Sequence, residues 1–298
     1  MIEITDTEFA VLKEHLSRVS GIEVPPEKRY LFKTRLSQLL EAEHCPSFST
    51  FYARLTTESD GILQRELVMA MTTHETGFFR DGHPFDCLQR KLLPDIARRR
   101  LASAGKRPVR IRILSCGCSS GQEPYSIAMC VREWLRSQAR PPRAGFTVLG
   151  VDISRRILQR AMRGVYTSEE LGATVPQYMK SRYFVARSSL WEVSSEIRRM
   201  VSFAEVNLAE SFGFLHRFDL IFCRNVIIYF SLELKKRIIQ QFRSMLNRGG
   251  ALILGASESL YPLTHEYVAV HDGPTTYYQP KQVASGLTPD GETSHGHE

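Results

Sequence analysis

The sequence predicts an α/β fold: a doubly wound, Rossmann-like parallel sheet preceded by a small all-helical domain. Three observations carry this. Residues 111–125 read I-R-I-L-S-C-G-C-S-S-G-Q-E-P-Y, a short apolar strand run that breaks into small residues between Gly117 and Gly121. A helical pattern of Tyr125, Ala128, Met129, Val131, Trp134 and Leu135 then follows at three- and four-residue steps. Further apolar runs of strand length recur at 146–153, 201–207, 218–224 and 251–256 with helical stretches between most of them, the alternation that builds a parallel sheet covered on both faces. Residues 1–72, by contrast, show helical periodicity and no strand run.

Taken in order, Thr5 or Asp6 caps a first helix whose Phe9, Leu12, Leu16 and Val19 share one face, and Ser20-Gly21 ends it. Pro25-Pro26 opens a second helix with Tyr30, Leu31, Leu36, Leu39 and Leu40. Helical pieces follow at 51–55 and 62–71. Lys28, Arg29, Lys33 and Arg35 cluster on and before the second helix, as a solvated face or a docking surface for an acidic partner. Residues 71–81, M-T-T-H-E-T-G-F-F-R-D, fit neither period and join two domains. A helix from about 83 to 100 is expected, with Pro84 in its first turn and a kink at Pro94. Arg98–Arg100 and the residues of 106–112 carry much of the positive charge, read as solvated face and loop.

The α/β part then runs as strand 110–116, helix 123–137, strand 146–153 and helix 155–163, with a less regular insert at about 164–200. Strands at 201–207 and 218–224 precede an amphipathic helix at 231–247, which Arg248-Gly249-Gly250 is expected to stop. Strand 251–256 and a hairpin of 267–271 with 275–279 around Asp272-Gly273 complete the sheet. The predicted organisation is a helical domain at 1–72, a connecting segment at 73–90, an α/β domain at 91–280 and a tail at 281–298. That tail has almost nothing to bury and is expected to be disordered.

The ligand follows from what the glycine turn lacks. G-x-x-x-G is not the dinucleotide fingerprint, and no G-x-x-x-x-G-K-[ST] loop occurs. The next strand ends in Asp152, about thirty residues beyond the glycines, somewhat later than the roughly twenty of a dinucleotide unit. A carboxylate there can accept hydrogen bonds from both hydroxyls of a ribose, and it can also cap the helix that follows. The reading is a nucleoside ligand with no phosphate to hold, and S-adenosylmethionine fits.

Composition bounds the rest. A chain of 298 residues, 43% hydrophobic and 24% charged, can bury a large core and is not broadly disordered. It has no apolar run of membrane-spanning length, so no membrane insertion is expected, and residues 1–10 lack a signal pattern, which points to the cytoplasm. Cys116 and Cys118 lack the further ligands of a structural zinc site, so no metal is expected and the six cysteines read as buried thiols. A net charge of +7 permits an acidic partner. No strip of interleaved aromatic and basic residues suggests nucleic acid.

Together these motifs resemble the CheR family of chemotaxis receptor methyltransferases, over about residues 5–280. The resemblance rests on T-T-H-E-T-G-F-F-R at 72–80, S-C-G-C-S-S-G-Q-E-P-Y-S at 115–126 and G-V-D-I-S at 150–154. It rests equally on V-N-L at 206–208, F-D-L-I-F-C-R-N-V-I-I-Y-F at 218–230 and L-G-A-S-E-S-L at 254–260. It implies a class I S-adenosylmethionine methyltransferase domain with a small β-subdomain insert, and methyl-ester formation on glutamates of chemoreceptor cytoplasmic helices, with S-adenosylhomocysteine as product. It further implies that Asp152 holds the ribose, that Glu123 faces the amino group of the methionine part, and that Asn207 and Leu208 contact the adenine. Arg224 and Asn225 would border the methionine end, with Gly117 in the cofactor turn. Thr76 and Arg80 would close over the cofactor from the connecting segment, and Arg80 and Tyr229 would orient the incoming carboxylate.

Several positions depart from the family pattern. His74 stands where many members have asparagine, Gln122 where many have glutamate, and Gln38 and Glu41 where well-known members carry arginines; Arg35 does match. The insert around 183–197 lacks the glycine-bearing loop of members that bind a receptor's C-terminal pentapeptide, so no such tether is expected. Read from the residues alone, a methyltransferase of another substrate and a non-catalytic cofactor-binding signalling module also remain open.

Overall fold

The computed structural model describes residues 2–73, 75–261 and 263–281; the tail whose disorder was expected therefore lies almost wholly outside the described residues. Four helices come first: α1 (Asp6–Ser20), α2 (Tyr30–Ala42), α3 (Phe48–Thr57) and α4 (Ile62–Met71). Thr5 and not Asp6 caps α1, in a reciprocal box in which Glu8 Oε2 accepts the Thr5 N–H at 2.9 Å. The other oxygen of Glu8 accepts both the N–H and the hydroxyl of Ser49, at 2.8 Å each, tying the start of α1 to the first turn of α3. Leu12, Leu16, Phe32, Leu36, Phe51 and Leu67 are completely buried between these helices, a core separate from those of the sheet.

The expected helix after the connecting segment is longer and differently built. It runs as α5 (His83–Cys87), a π-helical turn (Leu88–Leu92) and α6 (Leu93–Ala104). The Leu93 N–H bonds to the Leu88 carbonyl, five residues back. Pro94 has no N–H and its ring would press on the carbonyl four residues earlier, so the wide turn just before it accommodates the proline that was expected to kink the helix.

The sheet contains β1 (Val109–Cys116), β2 (Ala144–Asp152), β6 (Val201–Glu205), β7 (Phe218–Cys223), β8 (Leu246–Leu254), β9 (Tyr267–Asp272) and β10 (Thr275–Pro280), in the order β6-β2-β1-β7-β8-β10-β9. The first five are mutually parallel; β10 pairs antiparallel with β8 and β9 with β10. Helices α7 (Gln122–Ser137), α8 (Arg155–Arg163) and α12 (Leu232–Met245) cross between strands. Two apolar cores line the sheet's faces, one around Ile113, Phe222 and Ile127, the other around Leu114, Ile221 and Phe242. The insert adds β3 (Val165–Thr167), α9 (Ser168–Leu171), α10 (Gln177–Tyr183), β4 (Phe184–Arg187), β5 (Leu190–Val193) and α11 (Ser195–Arg198), with a three-stranded antiparallel sheet in the order β3-β5-β4.

One stop signal acts differently from its sequence reading. Helix α12 ends at Met245, and the chain turns extended at Leu246, before the glycines. Arg248-Gly249-Gly250 lies inside β8, where the pairing with β7 jumps from Phe218↔Leu246 to Leu220↔Ala251. The extra residues bulge there, with Gly249 at φ +72°, so the glycines serve a strand irregularity and not a helix cap.

Candidate functional site

The strand order reverses between β1 and β7, where chains leave the sheet in opposite directions and open a crevice at the carboxyl edge. A cleft of about 930 Å³, mouth included, lies there. Thr76, Arg80, Gly117, Glu123, Asp152, Asn207, Leu208, Arg224, Asn225 and Tyr229, the ten residues singled out in the sequence, all line it.

Its far wall comes from the helical part. Ser20, the last residue of α1, and Ile22 just beyond it line the cleft. The Asn207 amide donates to the Val19 carbonyl at 2.9 Å, and the Glu23 N–H donates to the Tyr229 carbonyl at 2.8 Å. Ile22 and Phe230 form an isolated antiparallel bridge. The side chain of Asn207 is thereby committed to protein partners, since its oxygen also accepts the Ala209 N–H at 3.0 Å.

The glycine turn sets the floor. Gly117 has φ +61°, and a Cβ there would collide with Val226; Gly121 has φ +94°, and a Cβ would sit 2.9 Å from Ala161 and 3.2 Å from the Tyr166 hydroxyl. Only glycine suits both places. Tyr166, from the insert, donates to the Ser120 carbonyl at 2.6 Å and so braces the turn from outside. Asp152 ends β2 buried, its Oδ2 accepting the Ser119 N–H at 2.8 Å and its Oδ1 the Ser154 N–H at 3.0 Å. Ser154, not Asp152, caps α8. Burial, with the charges of Asp152 and Glu123 beside it, pushes the Cys118 thiol well above its usual range, so it remains a neutral packing group.

Arg224 is the electrostatic hub. Its side chain is only 2% exposed and donates to Glu123 Oε2 at 3.0 Å, to Asp81 Oδ2 at 2.6 Å and to the Arg80 carbonyl at 2.9 Å. Its guanidinium also lies 5.7 Å from the Phe85 ring centre. Glu123 in turn accepts the Ser115 hydroxyl at 2.7 Å. The Arg80 side chain, by contrast, has Glu75 as its one polar partner among the described residues, donating to its carbonyl at 3.2 Å with the carboxylate at 3.9 Å.

The connecting segment is held in a strained turn. Phe79 and Asp81 have φ of +49° and +67°, and Gly82 follows at +59°. The Phe79 N–H donates to Ser126 on α7 at 3.0 Å, and Phe78 packs edge-on against Tyr166 and Phe184 of the insert. Strain of this kind persists only where packing over-determines it. Arg35, which matches the family pattern, is also engaged here, donating to the Met71 carbonyl at 2.7 Å and to Thr73 at 3.1 Å. Arg29 and Lys33 are ion-paired with Asp6 and Glu3.

The residue the sequence did not single out is Glu258. Its buried carboxylate accepts four backbone N–H groups: Asn225 and Gly255 at Oε2, 2.7 and 2.8 Å, and Val226 and Ile228 at Oε1, 3.0 and 3.2 Å. It thereby fixes the loop that carries Asn225 (φ +58°) and Tyr229. Tyr229 itself is 37% exposed, at the mouth.

Fold and cleft define the class: a Rossmann-like S-adenosylmethionine-dependent methyltransferase joined to an all-helical domain. The family model described as CheR methyltransferase, SAM binding domain, matches residues 74–275, and that described as CheR methyltransferase, all-alpha domain, matches residues 7–72. The chain belongs to the CheR methyltransferase family. It is 37% identical to chemotaxis protein methyltransferase 1 of Pseudomonas aeruginosa, over 93% of this chain and 98% of that one. It is 38% identical to the chemotaxis protein methyltransferase of Vibrio anguillarum, over 94% of this chain and 99% of that one.

Proposed function

We propose that the cleft holds S-adenosylmethionine and that the protein methylates glutamate side chains on the cytoplasmic helices of chemoreceptors, the adaptation step of chemotaxis-type signalling. The observation that carries this reading is Asp152, a buried acid at the end of β2 that shares one cleft with Arg80, Tyr229 and a glycine turn whose sequence lacks a phosphate-binding motif. The donor set fits the cofactor. A carboxylate oxygen accepts more than one hydrogen bond, so Asp152 can take a ribose diol while holding Ser119 and Ser154. Ile153, Val206 and Leu208 offer an apolar wall to the adenine. Glu123 faces the ammonium group. Arg224 is already engaged by two acids and a carbonyl, so we assign the carboxylate of the methionine part to Arg80, and to Arg224 the role of positioning Glu123.

The cofactor supplies a methyl group activated by its sulfonium. The acceptor glutamate, with an ordinary pKa of about 4.3, is ionised at neutral pH, so no side chain of this protein has to remove a proton. What the chain contributes is alignment and exclusion of water, which can lower a barrier by roughly 7–11 kcal/mol. Arg80 has five donors, enough to hold the cofactor with one edge and the incoming carboxylate with another, and Tyr229 lines the same cleft.

On this reading residues 1–72 are a helical domain, 73–90 the segment that closes on the cofactor, and 91–280 the catalytic domain. The separate helical core supports that division. Receptor binding is assigned without a C-terminal pentapeptide tether: the hairpin of β4 and β5 turns through Ser188 and Ser189 alone. Titration with receptor tail peptides tests this, and micromolar binding would overturn it. The main reading is tested by incubating the protein with cofactor labelled in the methyl group and a receptor cytoplasmic fragment, then adding mild base. Methyl esters release labelled methanol. Label that resists base would point to amine methylation, and no label at all to a binding module.

A further inference from the structure

The basic stretch that the sequence reading treated as solvated surface is assembled into a concavity at the opposite, amino edge of the sheet. Arg100 from α6, Arg110 and Arg112 from β1, and Arg217 just before β7 line it together with His216 and Asn247, and no acidic residue does so among the described residues. Guanidinium groups elsewhere in the protein are commonly matched by carboxylates, as Arg54 is by Glu43, Arg182 by Glu133 and Arg198 by Glu192. Here they are held mainly by neutral carbonyls: Arg112 by Leu215 at 3.0 Å, Arg217 by Leu246 at 3.2 Å, and Arg100 by Arg110 at 3.5 Å.

The nearest carboxylate is Asp219, which is buried. It meets Arg100 at 3.2 Å, but it also accepts the Arg112 N–H at 2.9 Å and the Asn247 amide at 2.8 Å, so it neutralises one of the four cations at most. Arg112 is further oriented by the Phe218 ring, 4.7 Å from its guanidinium carbon. The Arg110 side chain is exposed and has no hydrogen bond or ion pair among the described residues. Four like charges gathered in one concavity repel one another, and carbonyl partners orient them without cancelling that repulsion.

We propose that this concavity is a binding site for an anion bearing two or more linked phosphates. The planar fork of arginine matches phosphate oxygens two at a time, and four forks around one hollow exceed what a single phosphate needs. All four positions are arginine and none is lysine. The ligand is either an inorganic polyphosphate or the phosphate chain of a nucleotide. Phe214 is 67% exposed in the turn beside Gly213, which lines the hollow, and offers a nucleobase a face on which to stack. The site sits at the far edge of the sheet from the cleft, so a ligand here need not compete with the cofactor.

The test is calorimetric titration of the full chain with pyrophosphate and, separately, with guanosine triphosphate, whose base does not mimic the adenosine of the cofactor. The same titrations are run on the double variant Arg110→Ala/Arg217→Ala. Both residues are exposed, and thermal unfolding together with methyl transfer checks that the variant is folded. The expected result is one-to-one binding that weakens as salt is raised and is weakened about tenfold or more in the variant. Tighter binding of the nucleotide than of pyrophosphate would assign the ligand to nucleotides; equal binding would assign it to the phosphate chain alone. No binding of either compound at about 1 mM, or binding that the double variant leaves unchanged, would overturn the proposal.

Discussion

At the carboxyl edge of the sheet the buried guanidinium of Arg224 is answered by Glu123, Asp81 and a carbonyl, whereas at the amino edge four guanidinium groups are answered by one buried carboxylate and three carbonyls. The same residue type does different physical work at the two ends. Buried and matched, it fixes geometry, because removing either partner leaves a charge with nowhere to go. Exposed and unmatched, it leaves charge available to something from outside. Mutation should separate the two roles, because the first kind of site couples to stability and the second to salt-sensitive binding.

The largest effect is expected at Arg224. Replacing it by alanine strands two carboxylates, and we expect a loss of about 3–5 kcal/mol of folding stability, read by urea denaturation, along with methyl transfer. A variant as stable as the wild type would show that the carboxyl-edge network is not the matched, buried system described here. Glu258→Ala comes next. Four backbone N–H groups lose their acceptor, so a destabilisation of about 2–4 kcal/mol is expected. The fall in kcat should exceed any rise in cofactor Kd, because the loop bearing Tyr229 loosens while Asp152 stays in place. Unchanged kcat would remove Glu258 from the account.

Arg80→Ala should leave stability within about 0.5 kcal/mol, since among the described residues its side chain is hydrogen-bonded and ion-paired to Glu75 alone, and that acid is exposed. Methyl transfer should still drop by more than about tenfold, in keeping with its place at the cleft. Equal turnover at saturating cofactor would deny it that role. A last test, confined to acid pH, sharpens the contrast from the other side, with a buried acid answered by neutral donors. Burial raises the Glu8 carboxyl, but hydrogen bonds from Thr5 and Ser49 outweigh it and hold the group at about 2, against an ordinary 4.5. Its contribution is present above pH 4.5 and lost as pH falls towards 2. Urea denaturation of the full chain across that window should show a steeper loss than in Glu8→Gln; parallel curves would show that Glu8 carries no such linkage.

Much of the fold was legible because parallel strands buried on both faces leave continuous apolar runs, as at Leu220–Cys223, and because the helices between them carry one apolar stripe each. What escaped depends on contacts that no local pattern encodes. Pro94 announced a kink, but whether a helix bends or widens is decided by the packing around Leu88 and Leu92, both buried. Arg248-Gly249-Gly250 read as a helix stop because the bulge it forms exists only against β7.

The ten residues nominated from the sequence lie in a few short stretches around the strand ends, which is why they fall together in one cleft, whereas Ser20 and Ile22, which line it from the helical part, carried no such signal. Glu258 could not be found that way. It does not line the cleft and acts through backbone N–H groups, two of them more than thirty residues away. The one available signal was an acid set among small residues in L-G-A-S-E-S-L. The amino-edge arginines show the same limit, since Arg217 joins Arg100, Arg110 and Arg112 only once the sheet has formed.

Asp152 is expected to make the decisive grip on the cofactor, at its ribose. Titration of S-adenosylhomocysteine into the wild type and into Asp152→Ala, each checked for folding, measures this without reference to any receptor. We expect one site in the wild type and an affinity lower by about a hundredfold or more in the variant, the loss of two charge-assisted hydrogen bonds. Equal affinity in the two proteins would contradict the account.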